Sequence, residues 1–258
     1  MAPSALDRIR SARVLVIAHR GNSRQAPENT LPSFVSAAQL GVDFVELDYR
    51  HTADDVPLVF HDEHLDRATD ARRHWPEPRI SLAGKTLAEL RPLDAGSWFS
   101  PEFAGTRLST LAEVLAALPE TCFMIERKSG SAEVCAQVLE ACQAVDRVIV
   151  QAFDWDFLRE CRRRLPDLPL GALGTRQLSD AGLDEARALG AAVIGWEAAS
   201  LGRHEIERIQ AAGMKAWAWT VDDSQLAQQL VDDHIDGLIS NRPAAIQGLL
   251  AGRDRPAS

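Results

Sequence analysis

Glu46 and Asp48 are separated by one residue in the run Phe44-Val45-Glu46-Leu47-Asp48-Tyr49-Arg50. In an extended strand, residues two apart point the same way, so the two carboxylates share one face and Val45 and Leu47 take the other. An isolated acidic pair is by default a solvated face. If Val45 and Leu47 pack against helices, however, the acids point inward, where two like charges are unfavourable to bury. A hard divalent cation resolves that conflict, because Mg²⁺ and Ca²⁺ take oxygen ligands. Glu126 and Lys128 repeat the spacing, with Ile125 and Arg127 on the opposite face. A third carboxylate suits the same cation. The lysine either closes an internal salt bridge or offers positive charge to an anionic substrate. His19 and Arg20 close one extended run, directly before Gly21, and His61 closes another. A lone histidine is usually exposed or a satisfied core group. Two at strand ends around one mouth can act as an acid–base pair.

Those geometries require strands, and the chain alternates them with helical patterns. Extended runs fall at 14–20, 44–50, 57–61, 122–128, 148–153, 169–173, 192–196, 215–221 and 237–240. Helical patterns fall at 30–40, 111–118, 132–142, 155–165, 180–189, 204–212, 224–231 and 244–251. Such alternation means parallel βα units. Nine extended runs are one more than an eight-stranded barrel uses. Only 44–50 and 57–61, separated by little more than Thr52-Ala53-Asp54-Asp55, lack room for a crossover helix, so that pair is predicted as a hairpin. The expected fold is an α/β (β/α)8 TIM barrel with a β-hairpin excursion after strand 2, its site at the C-terminal strand ends. Residues 64–107 break the pattern and are rich in Pro, Arg and Trp. They read as a small insertion over the C-terminal face, within one domain spanning 1–258. The tail after Gly252 is expected to fray.

Composition narrows the function classes. With 258 residues, 46% apolar and 25% charged, the chain is an ordinary globular sequence of barrel size. A formal net charge of −9 argues against nucleic acid and against an anionic membrane surface as partners. The early apolar run 14–18 is too short for a signal-peptide core or a membrane span. The four cysteines, Cys122, Cys135, Cys142 and Cys161, contain no C-x-x-C pair. Cys135 and Cys142, two helical turns apart, are about 10 Å from each other and cannot bridge. Reduced thiols and a cytoplasmic setting follow as expectations. His64 and His74 read as exposed, and the run Arg162, Arg163, Arg164 as a solvated helix face. Gly84-Lys85-Thr86 lacks the upstream glycine of a phosphate loop, Arg79 standing there.

Several short motifs, in order, resemble those of the glycerophosphodiester phosphodiesterases across residues 14–250. They are His19-Arg20-Gly21, Ala26-Pro27-Glu28-Asn29-Thr30, Glu46-Leu47-Asp48, Phe60-His61-Asp62 and Ile125-Glu126-Arg127-Lys128, then Trp219-Thr220-Val221 and Asp236-Gly237-Leu238-Ile239. The insertion after His61 fits the same family. The resemblance implies a phospholipase C-like phosphodiesterase barrel, one divalent cation (Mg²⁺ or Ca²⁺, with Mn²⁺ a further option), and hydrolysis of glycerophosphodiesters to glycerol 3-phosphate and an alcohol. It implies Glu46, Asp48 and Glu126 as metal ligands and His19 and His61 as the general acid/base pair. Arg20 and Lys128 become phosphate contacts, and Trp219 a pocket wall.

The chain departs from the family pattern at Arg127, on the outward face, and at Ser240-Asn241, where the family usually has Thr-Asp; neither of the latter two receives a role. One alternative is a lysophospholipase D-like enzyme using Trp75, Trp98, Phe99 and Phe103 on lipids, without a basic amphipathic helix to dock it. Another is a catalytically silent barrel that binds a phosphorylated metabolite; loss of a ligand or a histidine would mark it, and neither is lost. The expected partner is a small-molecule glycerophosphodiester, with no stable membrane association. Which histidine acts first as base is open at this level.

Overall fold

A computed structural model describes residues 4–253. Its strands are β1 (Leu15–Ala18), β2 (Phe44–His51), β3 (Pro57–Val59), β4 (Phe123–Arg127), β5 (Val148–Ala152), β6 (Leu170–Gly174), β7 (Val193–Glu197), β8 (Lys215–Trp219) and β9 (Gly237–Ser240). All but β3 are parallel, running β1-β2-β4-β5-β6-β7-β8-β9, and β9 returns to β1 to close the barrel. Closure leaves the barrel strands no free edge. β3 pairs antiparallel with β2, Tyr49 opposite Val59 and His51 opposite Pro57, forming the expected hairpin.

The helices are α1 (Ala5–Ile9), α2 (Leu31–Gln39), α3 (Leu87–Leu90), α4 (Leu111–Ala117), α5 (Ala132–Ala141), α6 (Trp155–Arg164), α7 (Asp180–Leu189), α8 (Arg203–Ala211), α9 (Ser224–Asp232) and α10 (Pro243–Arg253). Local chemistry sets their starts. Ser131, Asp154, Ser179 and Asp223 accept from the backbone N–H three residues on, satisfying donors that a helix start leaves orphaned. Gly190, at φ +71°, ends α7 in the left-handed conformation that glycine adopts without penalty.

Strand alternation then sorts the side chains. Val45, Leu47, Phe123 and Ile125 face outward beneath the helices, with Phe34 edge-on to Phe123 at 6.1 Å. Ile17, Phe44, Met124, Ile149, Val193, Trp217 and Ile239 fill the lower interior. Trp217 is fully buried, 5.5 Å from Phe44, and lies where a Cβ on Gly237 would come within 2.8 Å of it. Below, Ala5 and Ile9 of α1 join this interior cluster and stop the barrel's N-terminal mouth. The sequence reading has no helix there, because five residues are too few to show a helical period. With the lower half filled, open space lies only toward the C-terminal strand ends.

The insertion covers part of that end on its own apolar cluster, in which Leu65, Ile80, Leu82, Leu90 and Leu93 pack with Leu58 and Phe60 of the hairpin arm. Thr86 caps α3 in a capping box with Glu89, so Gly84-Lys85-Thr86 is a helix start and not an anion loop.

Three sequence readings need correction. β1 ends at Ala18 and β3 at Val59, so His19, Arg20 and His61 stand in the turns just beyond their strands. Arg162 is not merely solvated: its guanidinium donates to the carbonyls of Leu168 at 2.9 Å and Gly190 at 2.9 Å, tying α6 to the next βα unit. His64 is half-buried, with Nδ1 3.4 Å from Arg79, whereas His74 is exposed as expected. Beyond Gly252, Arg253 still belongs to α10, and the rest of the tail lies outside the described residues. None of the four cysteines is in a disulfide, and no helix among the described residues is long and apolar enough to cross a membrane.

Candidate active site

The site begins at the turn after β1. Arg20 has φ +55° and Gly21 φ +82°, and a Cβ on Gly21 would fall 2.4 Å from Ser33 Oγ. Only glycine fits there, and the strained arginine beside it is the kind of backbone found at functional sites. The turn aims the Arg20 N–H at Glu46 Oε2, 2.8 Å away, and brings its guanidinium 3.3 Å from Asp48 Oδ2 and 3.0 Å from Glu28 Oε1.

Glu46, Asp48 and Glu126 all point inward and are buried, and each offers an oxygen within 4.8 Å of the others. Oxygens bound to one hard cation at roughly 2.3–2.6 Å lie no farther apart than about 5 Å, so this donor set fits such an ion. Glu46 Oε1 is buried without a donor. Burial, then repulsion from Asp48 and Glu126, pushes the Glu46 carboxyl well above its usual range. Glu126 is raised to about 7 by burial and Asp48, against the pull of Lys128. Asp48 behaves oppositely. Burial opposes its charge, but Lys128 and Arg20 prevail and hold it at about 2. Asn29 clamps it further, donating from Nδ2 to Asp48 Oδ2 at 2.8 Å and accepting from the Asp48 N–H at 3.0 Å. Lys128 lies 3.3 Å from Asp48 Oδ1 and also ion-pairs with Glu126.

The two histidines are held by different chemistries. His19 Nδ1 lies 2.7 Å from Asn241 Oδ1. The Asn241 amide is oriented by Asp222, which accepts from Nδ2 at 2.6 Å and from the Asn241 backbone N–H at 2.8 Å. Its Oδ1 therefore faces His19 and also accepts from Ser23 Oγ at 2.9 Å. An amide oxygen can only accept, so His19 carries its proton on Nδ1 and keeps Nε2 as a lone pair. Burial and the Arg20 charge pull His19 down to about 4. His61 Nδ1 instead lies 2.7 Å from Asp62 Oδ1. Burial lowers its pKa too, while Asp48 and Asp62 hold it up.

Arg67, from the insertion, completes this frame. It donates to Asp62 Oδ2 at 2.6 Å and to Glu28 at 3.0 and 2.7 Å. One guanidinium thus braces the carboxylates that hold His61 and Arg20. The cavity they border has a volume of about 280 Å³, with His19, Arg20, His61, Glu126 and Lys128 on its polar side. Trp219 forms a wall, its Nε1 donating to the Gly195 carbonyl at 3.0 Å, with Phe153 edge-on at 5.7 Å.

The sequence pattern of the Glycerophosphoryl diester phosphodiesterase family matches residues 19–245. The chain belongs to that family. It is 32% identical over 253 residues to a glycerophosphodiester phosphodiesterase of Caldanaerobacter subterraneus subsp. tengcongensis, covering 92% of this chain and 98% of that one. A glycerophosphodiester phosphodiesterase of Bacillus subtilis is 31% identical over 257 residues, covering 90% and 84%. Among solved structures, the Oleispira antarctica phosphodiesterase in complex with the product sn-glycerol-3-phosphate aligns with a TM-score of 0.85 at 29% identity, covering 92% of this chain and 96% of that one. The fold and the phosphoric diester hydrolase class are those of glycerophosphodiester phosphodiesterases.

Within this phosphodiesterase all eight residues proposed from sequence meet in one place: His19, Arg20, Glu46, Asp48, His61, Glu126, Lys128 and Trp219 line the cavity or lie directly beneath it. Arg127 points outward to Asp154 at 2.9 Å, as expected. The residues given no role were the braces: Glu28, Asn29, Asp62, Arg67, Asp222 and Asn241. Glu28, Asn29 and Asp62 sit inside motifs that the sequence displays, which was their only signal. Asn241 carried a misleading one, as a departure from the family pattern.

Proposed function

We propose that the chain hydrolyses soluble glycerophosphodiesters to sn-glycerol 3-phosphate and an alcohol, with His19 as the first base and His61 as the first acid. The observation that carries this reading is the different anchoring of the two imidazoles around one cavity: an amide on His19 and a carboxylate on His61. The family match and the product complex of the Oleispira antarctica enzyme support the substrate class.

Diester cleavage needs a nucleophile deprotonated and an alkoxide protonated. His19 Nε2 takes the proton of the glycerol 2-hydroxyl as that oxygen attacks phosphorus and the ester bond to the alcohol breaks. His61 gives its Nε2 proton to the departing oxygen. The neighbouring hydroxyl is already in place, which favours a cyclic phosphate. Water then opens the ring with the two histidines in exchanged roles, and the sum is diester plus water giving glycerol 3-phosphate plus alcohol. Arg20 and Lys128 stabilise the charge on the phosphoryl oxygens. Glu46, Asp48 and Glu126 would hold one divalent cation, which when bound supplies Lewis-acid stabilisation of the same charge.

A cavity of about 280 Å³ accommodates glycerol and phosphate. The insertion's Trp98, Phe99 and Phe103 pack edge-on against one another, with centroid separations of 5.7 and 5.6 Å. Turnover of glycerophosphocholine and of micellar lysophosphatidylcholine, in EDTA and with Mg²⁺, Ca²⁺ or Mn²⁺, tests the reading. Cation-dependent release of glycerol 3-phosphate, with the soluble substrate preferred in kcat/KM, is expected; full activity in EDTA or preference for the lipid contradicts it.

A further inference from the structure

One buried polar group in the cavity has no part in this chemistry. Gln151, on β5, stands in register beside Glu126, which stands beside Asp48, so the three side chains form one inward layer. Gln151 is 2% exposed, lines the cavity, and its Oε1 meets no donor. Buried amide oxygens are almost always hydrogen-bonded, so an unpartnered one at a cavity wall is matched to a donor from outside the chain. Glycines on the next two strands make room for the side chain. A Cβ at Gly171 would lie 3.1 Å from Gln151 Cβ, and one at Gly195 would lie 2.7 Å from Leu173 Cδ2, 3.7 Å from Gln151 Oε1 and 3.9 Å from Trp219 Cδ1. The side chain therefore passes over Gly171 of β6 and brings its amide oxygen beside Gly195 of β7, next to the Trp219 wall and away from the carboxylates.

An amide oxygen can only accept, so it cannot bond a phosphate oxygen and suits a hydroxyl donor. In the reading above, which this inference rests on, the phosphate meets Arg20 and Lys128 and the 2-hydroxyl meets His19. The substrate group still lacking a partner is the terminal hydroxyl of glycerol. We propose that Gln151 is a specificity-determining residue whose Oε1 accepts a hydrogen bond from that hydroxyl, so that the enzyme reads glycerol and not merely a phosphodiester.

The test compares glycerophosphocholine with its analogue in which the terminal glycerol hydroxyl is replaced by hydrogen, on the cation-loaded wild-type enzyme and on Gln151→Leu. A site built to bond a hydroxyl rejects a partner lacking it. Wild type is expected to favour the full substrate by about tenfold or more in kcat/KM. Gln151→Leu should lose that preference by slowing the full substrate while leaving the analogue nearly unchanged. Gln151→Met, unbranched and close in length, repeats the comparison if leucine disturbs folding. Equal use of both substrates by wild type, or a preference that survives both substitutions, overturns the assignment alone. No turnover of glycerophosphocholine by wild type overturns the functional reading and this assignment together.

Discussion

His19 Nδ1 lies 2.7 Å from Asn241 Oδ1, and Asp222 turns that amide so that its oxygen faces the ring. A neutral partner on Nδ1 leaves the imidazole neutral and ready to accept a proton on Nε2. Asn241→Leu should therefore lower kcat about a hundredfold with KM little changed. Asn241→Asp should leave an oxygen on Nδ1 but set a carboxyl 2.6 Å from Asp222, so the two share a proton and the remaining negative charge favours the protonated ring. His19 stands at about 4, and a base must be neutral to act, so the acidic limb of kcat/KM should move to higher pH. An unmoved limb, read from a pH series on both proteins, would detach Asn241 from His19.

The carboxylate on His61 gives the opposite expectation. Asp62 holds the His61 pKa up, so Asp62→Asn should lower it and bring the alkaline limb of the profile to lower pH. An acid that loses its proton earlier stops working earlier. The same pH series checks this, with the limb of Asn241→Asp as its internal contrast.

Arg67 is bonded to both Glu28 and Asp62, although it belongs to the insertion and is about half exposed. Arg67→Ala should raise KM through Arg20 and lower kcat through His61, each by roughly tenfold. Its melting temperature should hardly change, because exposed ion pairs contribute little stability. Arg67→Lys, with charge but no fork, should recover only part of the loss. Steady-state kinetics beside a thermal melt separates this from unfolding.

Cation binding should depend on protons in a definite direction. Glu126 is raised to about 7 and Glu46 is raised as well, and a carboxylate must be ionised to ligate. Affinity for Ca²⁺, measured by calorimetry, should weaken as pH falls below about 7 and be lost in Glu126→Gln. Trp217, by contrast, belongs to the barrel's filled half, and Trp217→Ala should lower stability by about 3–5 kcal/mol in denaturant unfolding.

Period-two alternation explains what the sequence shows of this site. Val45 and Leu47 face the helices, so Glu46 and Asp48 must face inward, and Ile125 does the same for Glu126. The hairpin was legible because four residues cannot carry a parallel crossover. The braces were not, because their partners are remote in the chain: Arg67 and Glu28 are 39 residues apart, and His19 and Asn241 are 222 apart. Neither pair has a spacing that any periodicity describes. Gln151 was hidden differently, since a single amide in an apolar strand is ordinary until the space before it is known.

The division of labour between the two histidines is tested most directly by changing the leaving group. Glycerophosphocholine expels an alkoxide that needs a proton, whereas the p-nitrophenyl ester of glycerol 3-phosphate expels a stable anion that does not. His61→Ala should cut kcat on glycerophosphocholine by about 10²–10⁴ and leave the p-nitrophenyl ester nearly untouched, while His19→Ala should cut both. The reverse pattern, with His19→Ala spared on the activated ester and His61→Ala crippled on both, would contradict the account.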